Sequence, residues 1–168
     1  KDPRNSLYQS FVSAVNYFKP KAFLMENVPN LASMQNGLIK KEIINEFEGL
    51  GYNTYYETLL ASNYGVPQNR KRFFLAGFKE NLLFAFPVGT HSGKKVTTSE
   101  AISDLPENSV GDGSAYFNDS ESAYQNIMRK GSFGIYNHEI SNHSEKTRSI
   151  ISQVPDGGNY KDLPKEFQ

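Results

Sequence analysis

The chain has 168 residues, of which 38% are hydrophobic, 21% charged and 13% aromatic, a size and composition that suit one ordinary domain with a sizeable core. Lys+Arg and Asp+Glu balance at 18 each and cysteine is absent, which excludes disulfides, thiolate metal sites and a cysteine nucleophile within the chain. No apolar run nears the roughly 20 residues that span a bilayer, no secretory pattern opens the chain, and the three histidines lack metal-ligand spacing, so a cytoplasmic protein with no membrane and no metal site is expected.

The chain opens at Lys1 rather than Met and is expected to begin inside a longer reading frame or after processing. Leu7, Phe11, Val12, Val15 and Phe18 recur at helical spacing. Asp2-Pro3 and Asn5-Ser6 give that helix a start, and Lys19-Pro20 a stop. The short apolar run Ala22-Phe23-Leu24-Met25 follows and reads as a buried central parallel strand, with helices on both faces of its sheet. A second helix fits 38–50, with Ile39, Ile43, Phe47 and Leu50 on one face and Gly49 and Gly51 ending it. Residues 53–61 and 72–78 read as strands, joined by an ordered loop at Tyr64-Gly65-Val66-Pro67. The order helix–strand–helix–strand–strand is part of an α/β sheet, too little for a complete doubly wound domain, so further strands are expected on the N-terminal side. Beyond Pro87 the texture changes: Thr97-Thr98-Ser99-Glu100 is a capping-box pattern opening a short helix, residues 106–122 read as a long loop, and 144–154 again show helical spacing before Pro155-Asp156-Gly157-Gly158.

Two clusters carry chemistry. Glu26 and Asn27 follow the apolar run directly, and the carboxyl end of a strand is where open α/β sheets place their ligands. Phe23 and Met25 nearby would partly desolvate Glu26. Read from the residues alone, Glu26 is either such a site acid or a capping carboxylate. The second cluster is Gln68-Asn69-Arg70-Lys71-Arg72. Spacing of two puts Arg70 and Arg72 on one face of a strand, where two guanidinium forks suit phosphate or a base carbonyl; a solvated charge run on an edge strand is the alternative. Residues 1–80 carry ten Lys/Arg against seven Asp/Glu, and residues 81–168 eight against eleven, so neither half has the basic excess of a stand-alone nucleic-acid binder. His91, His138 and His143 read as surface or satisfied polar residues.

In combination these motifs are more specific. Lys19-Pro20 through Glu26-Asn27-Val28 resembles the KP…ENV block of the C5-cytosine DNA methyltransferases, and Tyr64-Gly65-Val66-Pro67-Gln68-Asn69-Arg70-Lys71-Arg72 resembles that family's YG-P-QxRxR block, in the same order. Asp2 to Leu7 resembles the block before ENV, Ala101-Ile102-Ser103-Asp104-Leu105-Pro106 the EAI-DLP stretch, and 138–164 the lead-in to the target-recognition region. The family's Pro-Cys nucleophile and glycine-rich cofactor loop have no counterpart in this chain.

The resemblance implies a partial Rossmann-like methyltransferase sheet followed by an irregular lead-in: residues 1–90 as the C-terminal half of the catalytic domain, and 91–168 as a connecting segment and the start of the target-recognition region. It implies a bacterial DNA (cytosine-5-)-methyltransferase of restriction–modification type, acting on a cytosine flipped out of double-stranded DNA with S-adenosylmethionine as methyl donor. Glu26 matches the glutamate that binds N3 and the exocyclic amine, Asn27 the asparagine that supports the nucleophile's loop, and Arg72 the arginine at O2. Arg70 matches a phosphate contact, Gln68 a residue shaping that loop, and Leu7 a position on the cofactor's side of the sheet. The isolated chain is then expected to be inactive and to bind S-adenosylmethionine weakly or not at all. Its partner is the missing N-terminal part of the catalytic domain or a complementing subunit, and its exposed sheet surfaces could support a dimer. A different reading is a non-catalytic DNA-binding or assembly subunit of a split methyltransferase.

Overall fold

The structure, a computed structural model, describes residues 7–167; the expected helix start at residues 2–6, and the motif residues before Leu7, lie outside the described residues. The chain divides into two compact units, Lys1–Ser103 and Asp104–Gln168.

The first unit is built on α1 (Leu7–Phe18), β1 (Ala22–Asn27), a single-turn α2 (Asn30–Ser33), α3 (Leu38–Gly49), β2 (Asn53–Leu60) and β3 (Lys71–Phe78), and it closes with α4 (Thr98–Ile102). Helix α1 turns Val15 fully inward, with Tyr8, Phe11 and Val12 beside it. It stops where Lys19 adopts φ 46° and donates its N–H to Val15 O at 2.9 Å, a left-handed stop followed at once by Pro20. Helix α3 ends in a Schellman motif. Gly51, at φ 81°, donates to Glu48 O at 2.9 Å, and Tyr52 donates to Phe47 O at 3.1 Å, while the apolar pair Phe47 and Tyr52 is buried beneath. The sequence placed the end of α1, both ends of α3 and all three strands within two residues of these bounds.

The strands form one sheet in the order β1-β3-β2, and β3 is antiparallel to both neighbours. Strands β1 and β2 therefore run the same way on either side of a reversed β3. Two expectations need correction. The 22–25 run is not a parallel strand among the described residues: it pairs with β3 antiparallel and lies at one edge of the three-stranded sheet. Nor do helices cover both faces. Phe23, Met25, Phe73 and Leu75 share one face by register and pack with Val15, Leu31, Ile43 and Phe47 from the helices. The other face carries Phe84 and Phe86, whose rings meet Phe78, Tyr55 and Phe74. Leu24, on that second face, is 59% exposed. The apolar run suggested two buried faces, whereas burial simply alternates along the strand. The core is aromatic: the rings of Phe23 and Phe47 lie 4.2 Å apart, with Phe11 and Tyr52 edge-on to Phe23. Burying Phe47 completely contributes roughly 1.5–3 kcal/mol.

The second unit holds α5 (Ala123–Arg129) and α6 (Glu145–Ile151), two short 3-10 turns and an isolated bridge between Ser114 and Ile135. Its cohesion is largely polar. Arg129 clamps the buried Asp104 through Nε at 2.7 Å and Nη2 at 2.6 Å, donates to Asn118 O at 2.9 Å, and lies 4.0 Å over the Tyr116 ring. His138 Nε2 meets Pro106 O at 2.7 Å, as expected of a satisfied polar residue. No helix among the described residues is long and apolar enough to cross a membrane.

Candidate functional site

β1 delivers Glu26 to its carboxyl end, and antiparallel pairing sets Glu26 opposite Phe74. Side chains two apart share a face, so Arg72, two residues before Phe74, projects on the same face at the same end of the sheet. The two side chains meet: Arg72 Nε lies 2.5 Å from Glu26 Oε1. Arg72 also donates through Nη1 to Lys71 O at 2.8 Å, which fixes the plane of the guanidinium. The pair is accessible, with the Glu26 side chain 48% and the Arg72 side chain 20% exposed.

One expectation about Glu26 fails on register. Phe23 and Met25 project to the helix-covered face, opposite to Glu26, so they do not wall the carboxylate. Asn27 turns to their face and accepts the Val28 N–H at 2.8 Å, which bends the chain out of β1 toward α2.

The second cluster divides. Only Lys71 and Arg72 lie in β3; Gln68, Asn69 and Arg70 belong to the connection that follows the 3-10 turn Ala61–Tyr64. Two tight turns shape it, Gln68 N–H to Val66 O at 2.7 Å and Arg70 N–H to Gln68 O at 2.9 Å. Arg70 O accepts from Ala61 N at 2.9 Å, extending the β2–β3 ladder. The buried Ser62 donates to Asn69 Oδ1 at 2.9 Å. Gln68 and Arg70 are exposed, four and two residues before Arg72 along the chain. Leu7 begins α1 and is 63% exposed.

Sequence reasoning passed over the Ser62–Asn69 clip and the Asp104–Arg129 clamp. Asp104 stands inside a quoted motif, yet its partner lies 25 residues away, and spacing alone gives no signal for that. Among the described residues no group of three His, Asp or Glu could hold a metal ion. Chemically, the pair offers a carboxylate and a guanidinium side by side on an open face. A carboxyl group can accept from an amine and donate to a ring nitrogen, and a guanidinium can donate to a carbonyl.

Residues 1–166 match the family described as C-5 cytosine-specific DNA methylase. The chain is similar to Type II methyltransferase M.DdeI of Desulfomicrobium norvegicum, 36% identical over 177 aligned positions that cover 99% of this chain and 43% of that protein. It is 34% identical to Type II methyltransferase M1.HphI of Haemophilus parahaemolyticus, over 99% of this chain and 40% of that protein. It is 42% identical to Type II methyltransferase M.MthTI of Methanothermobacter thermautotrophicus, over 63% and 32% respectively. In fold it resembles a crystal structure described as a DNA modification methyltransferase encoded within an E. coli prophage, with TM-score 0.54 and 24% identity, covering 96% of this chain and 43% of that one. The chain thus spans about two fifths of the length of the first two relatives.

Proposed function

Since this chain belongs to the C-5 cytosine-specific DNA methylase family, we propose that it is the cytosine-activating part of a bacterial DNA (cytosine-5-)-methyltransferase of restriction–modification type. The observation that carries this reading is the open Glu26–Arg72 pair at the carboxyl end of β1. Cytosine, flipped out of double-stranded DNA, offers its exocyclic amine and N3 to Glu26 and its O2 to Arg72. A proton held at N3 by Glu26 drains electron density from the ring and makes C6 a better electrophile. Arg72 stabilises the negative charge that develops at O2. Asn27 holds the turn beyond β1, Gln68 shapes the connection into β3, and Arg70 contacts a phosphate beside the flipped nucleotide.

The nucleophile is supplied by chain outside these residues, since the 168 residues contain no cysteine. The free edge of β1 is the place for the missing N-terminal part of the catalytic domain, or for a complementing subunit. S-adenosylmethionine is the methyl donor of the whole enzyme. Leu7, exposed at the start of α1, lies on the cofactor's side of the sheet in this reading, and the isolated chain binds the cofactor weakly or not at all. Residues 1–90 then complete the catalytic domain, and 91–168 lead into target recognition. The absence of cysteine also favours a second reading, a non-catalytic DNA-binding or assembly subunit of a split methyltransferase. The reading frame upstream decides between the two: an in-frame Pro-Cys marks one enzyme, a start codon marks a subunit.

The test is single-turnover methylation beside equilibrium DNA binding in the whole enzyme. Glu26→Gln and Arg72→Ala should each slow methyl transfer about a hundred- to a thousandfold at saturating DNA. Arg70→Ala should instead weaken binding and flatten its salt dependence. Near wild-type transfer by both Glu26→Gln and Arg72→Ala would remove the cytosine-activating role. The isolated chain should transfer no labelled methyl group to duplex DNA.

A further inference from the structure

We propose that His91 is a positioning residue for the 68–72 segment, acting through Gly65; the effect on DNA rests on the function proposed above, while the mechanical effect does not. Gly65 closes the 3-10 turn Ala61–Tyr64 with φ 85° and ψ 8°, a left-handed conformation that side chains other than glycine rarely adopt. The imidazole of His91 fills the space a side chain would need: a Cβ on Gly65 would stand 3.0 Å from Cε1, 3.1 Å from Nδ1 and 3.3 Å from Nε2. The ring therefore lies flat against the Gly65 backbone, and Thr90 Oγ1, 2.8 Å from Nδ1, fixes its orientation.

The ring is held to the turn from several sides. His91 N–H donates to Asn63 O at 2.8 Å. Gly89 approaches the same residue so closely that a Cβ there would be 2.9 Å from Asn63 Cβ. The Tyr64 hydroxyl donates to Pro87 O at 2.8 Å. Residues 87–91 thus form a strap over 63–65, packed so closely at Gly65 and Gly89 that neither has room for a Cβ. Beyond Gly65 the chain is next tied down at Asn69, whose Oδ1 accepts from Ser62 Oγ at 2.9 Å, and at Arg70, whose O accepts from Ala61 N at 2.9 Å. Between Gly65 and these ties the backbone bonds are the weak 3.3 Å contact from Val66 N to Ala61 O and the two tight turns. The direction in which the chain leaves Gly65 sets the course of 66–68 and so where Gln68 stands, and, through the turn from Arg70 N–H to Gln68 O, how Arg70 is presented. That direction is set by a ring packed on a residue with no side chain of its own.

The experiment uses His91→Ala, His91→Phe and Gly65→Ala. His91→Ala empties the space, His91→Phe keeps a flat ring without the Thr90 bond, and Gly65→Ala collides with the ring. The first readout, on this chain, is trypsin cleavage after Arg70, Lys71 and Arg72 together with amide exchange at residues 66–70. His91→Ala and Gly65→Ala should speed cleavage there about tenfold through local opening, with β2 and β3 amides protected as in the parent, and His91→Phe should restore much of the protection. An unchanged cleavage rate in both, or an equal loss of protection throughout the sheet, would overturn the proposal. The second readout, in the whole enzyme, is DNA binding against salt. His91→Ala should weaken binding and lower the salt slope by about one, as loss of one phosphate contact does. If the segment loosens while binding holds, the positioning role stands and the assigned DNA contact falls. If Arg70→Ala weakens binding while His91→Ala neither loosens the segment nor weakens binding, the positioning role falls and the contact stands.

Discussion

Among the described residues the first unit holds the arginine–carboxylate pair Arg72–Glu26 and the second the pair Arg129–Asp104, close in distance and opposite in setting. Arg72 and Glu26 approach to 2.5 Å, with the carboxylate side chain 48% exposed; Arg129 and Asp104 approach to 2.6 Å, with the carboxylate side chain 4% exposed. A buried pair is compensated only when its remaining hydrogen-bonding capacity is filled. The second unit fills it, with Asn118 O and the Tyr116 ring completing the surroundings of Arg129. The first unit leaves the Glu26 side chain about half in water and the Arg72 side chain one-fifth exposed. Water already competes for both partners there, so a ligand with the right donors and acceptors can replace either one cheaply. The same chemistry therefore acts as a fastener in one unit and as an open socket in the other. The units also differ in what surrounds the pair. The first coheres through aromatic packing of Phe11, Phe23, Phe47 and Tyr52, and the second through caps and side-chain bonds to backbone.

The comparison can be pushed from both sides. Phe47→Ala should cost the first unit roughly 3–5 kcal/mol, because Phe47 is fully buried against Phe11 and Phe23; denaturant unfolding, with amide exchange in α3 and β3 to localise it, measures the loss. Arg129→Met should follow at roughly 3 kcal/mol, since it strands a carboxylate that is almost wholly buried. Amide exchange in α5 and at 116–118 reads that effect. Asp104→Asn in the same background should recover part of it by removing the uncompensated charge. A loss below about 1 kcal/mol for Arg129→Met would place its pair with ordinary surface ion pairs and erase the contrast.

How much of this was legible in the sequence depended on which force builds each element. α1 and α3 each bury an apolar stripe, so spacing found them. The capping box at Thr97 and Glu100 was readable from residue types and is present with both of its bonds. α5 escaped, because the side chain it buries is Gln125 while Ile127 and Met128 stay exposed, so hydrophobic periodicity gave no signal. Its one readable mark was the Ser122-x-x-Gln125 capping box. Strand direction was not legible either: an apolar run reads alike in a parallel and an antiparallel neighbour. For the site, the residue types were visible at Glu26 and Arg72. Their meeting was expected from the family resemblance, which sets both against one base, and not from spacing, because it depends on the register that sets Glu26 opposite Phe74. Arg70 enters β3, which begins at Lys71, and its O accepts from Ala61 N at 2.9 Å, in keeping with the strand expected from Arg72.

The smallest expected effect is the most informative. Arg72→Met keeps an unbranched stem of similar reach and removes only the guanidinium. Glu26, with about half its side chain in water, loses its partner but keeps its hydration, so no buried charge is created. Exposed pairs of this kind are worth about 0.2–1 kcal/mol because water screens the attraction and both side chains give up rotamer freedom to meet. Thermal and denaturant unfolding of Arg72→Met should therefore fall within about 1 kcal/mol of the parent, well short of the loss expected for Arg129→Met. Stability and function would then separate at this residue: a nearly unchanged fold, and in the whole enzyme a methyl-transfer step slowed by the factor expected for losing a charge stabiliser. If Arg72→Met instead unfolds the chain as severely as Arg129→Met, the guanidinium is fastening β1 to β3. Glu26 would then be its structural counter-ion, and the pair would no longer be free to meet a base.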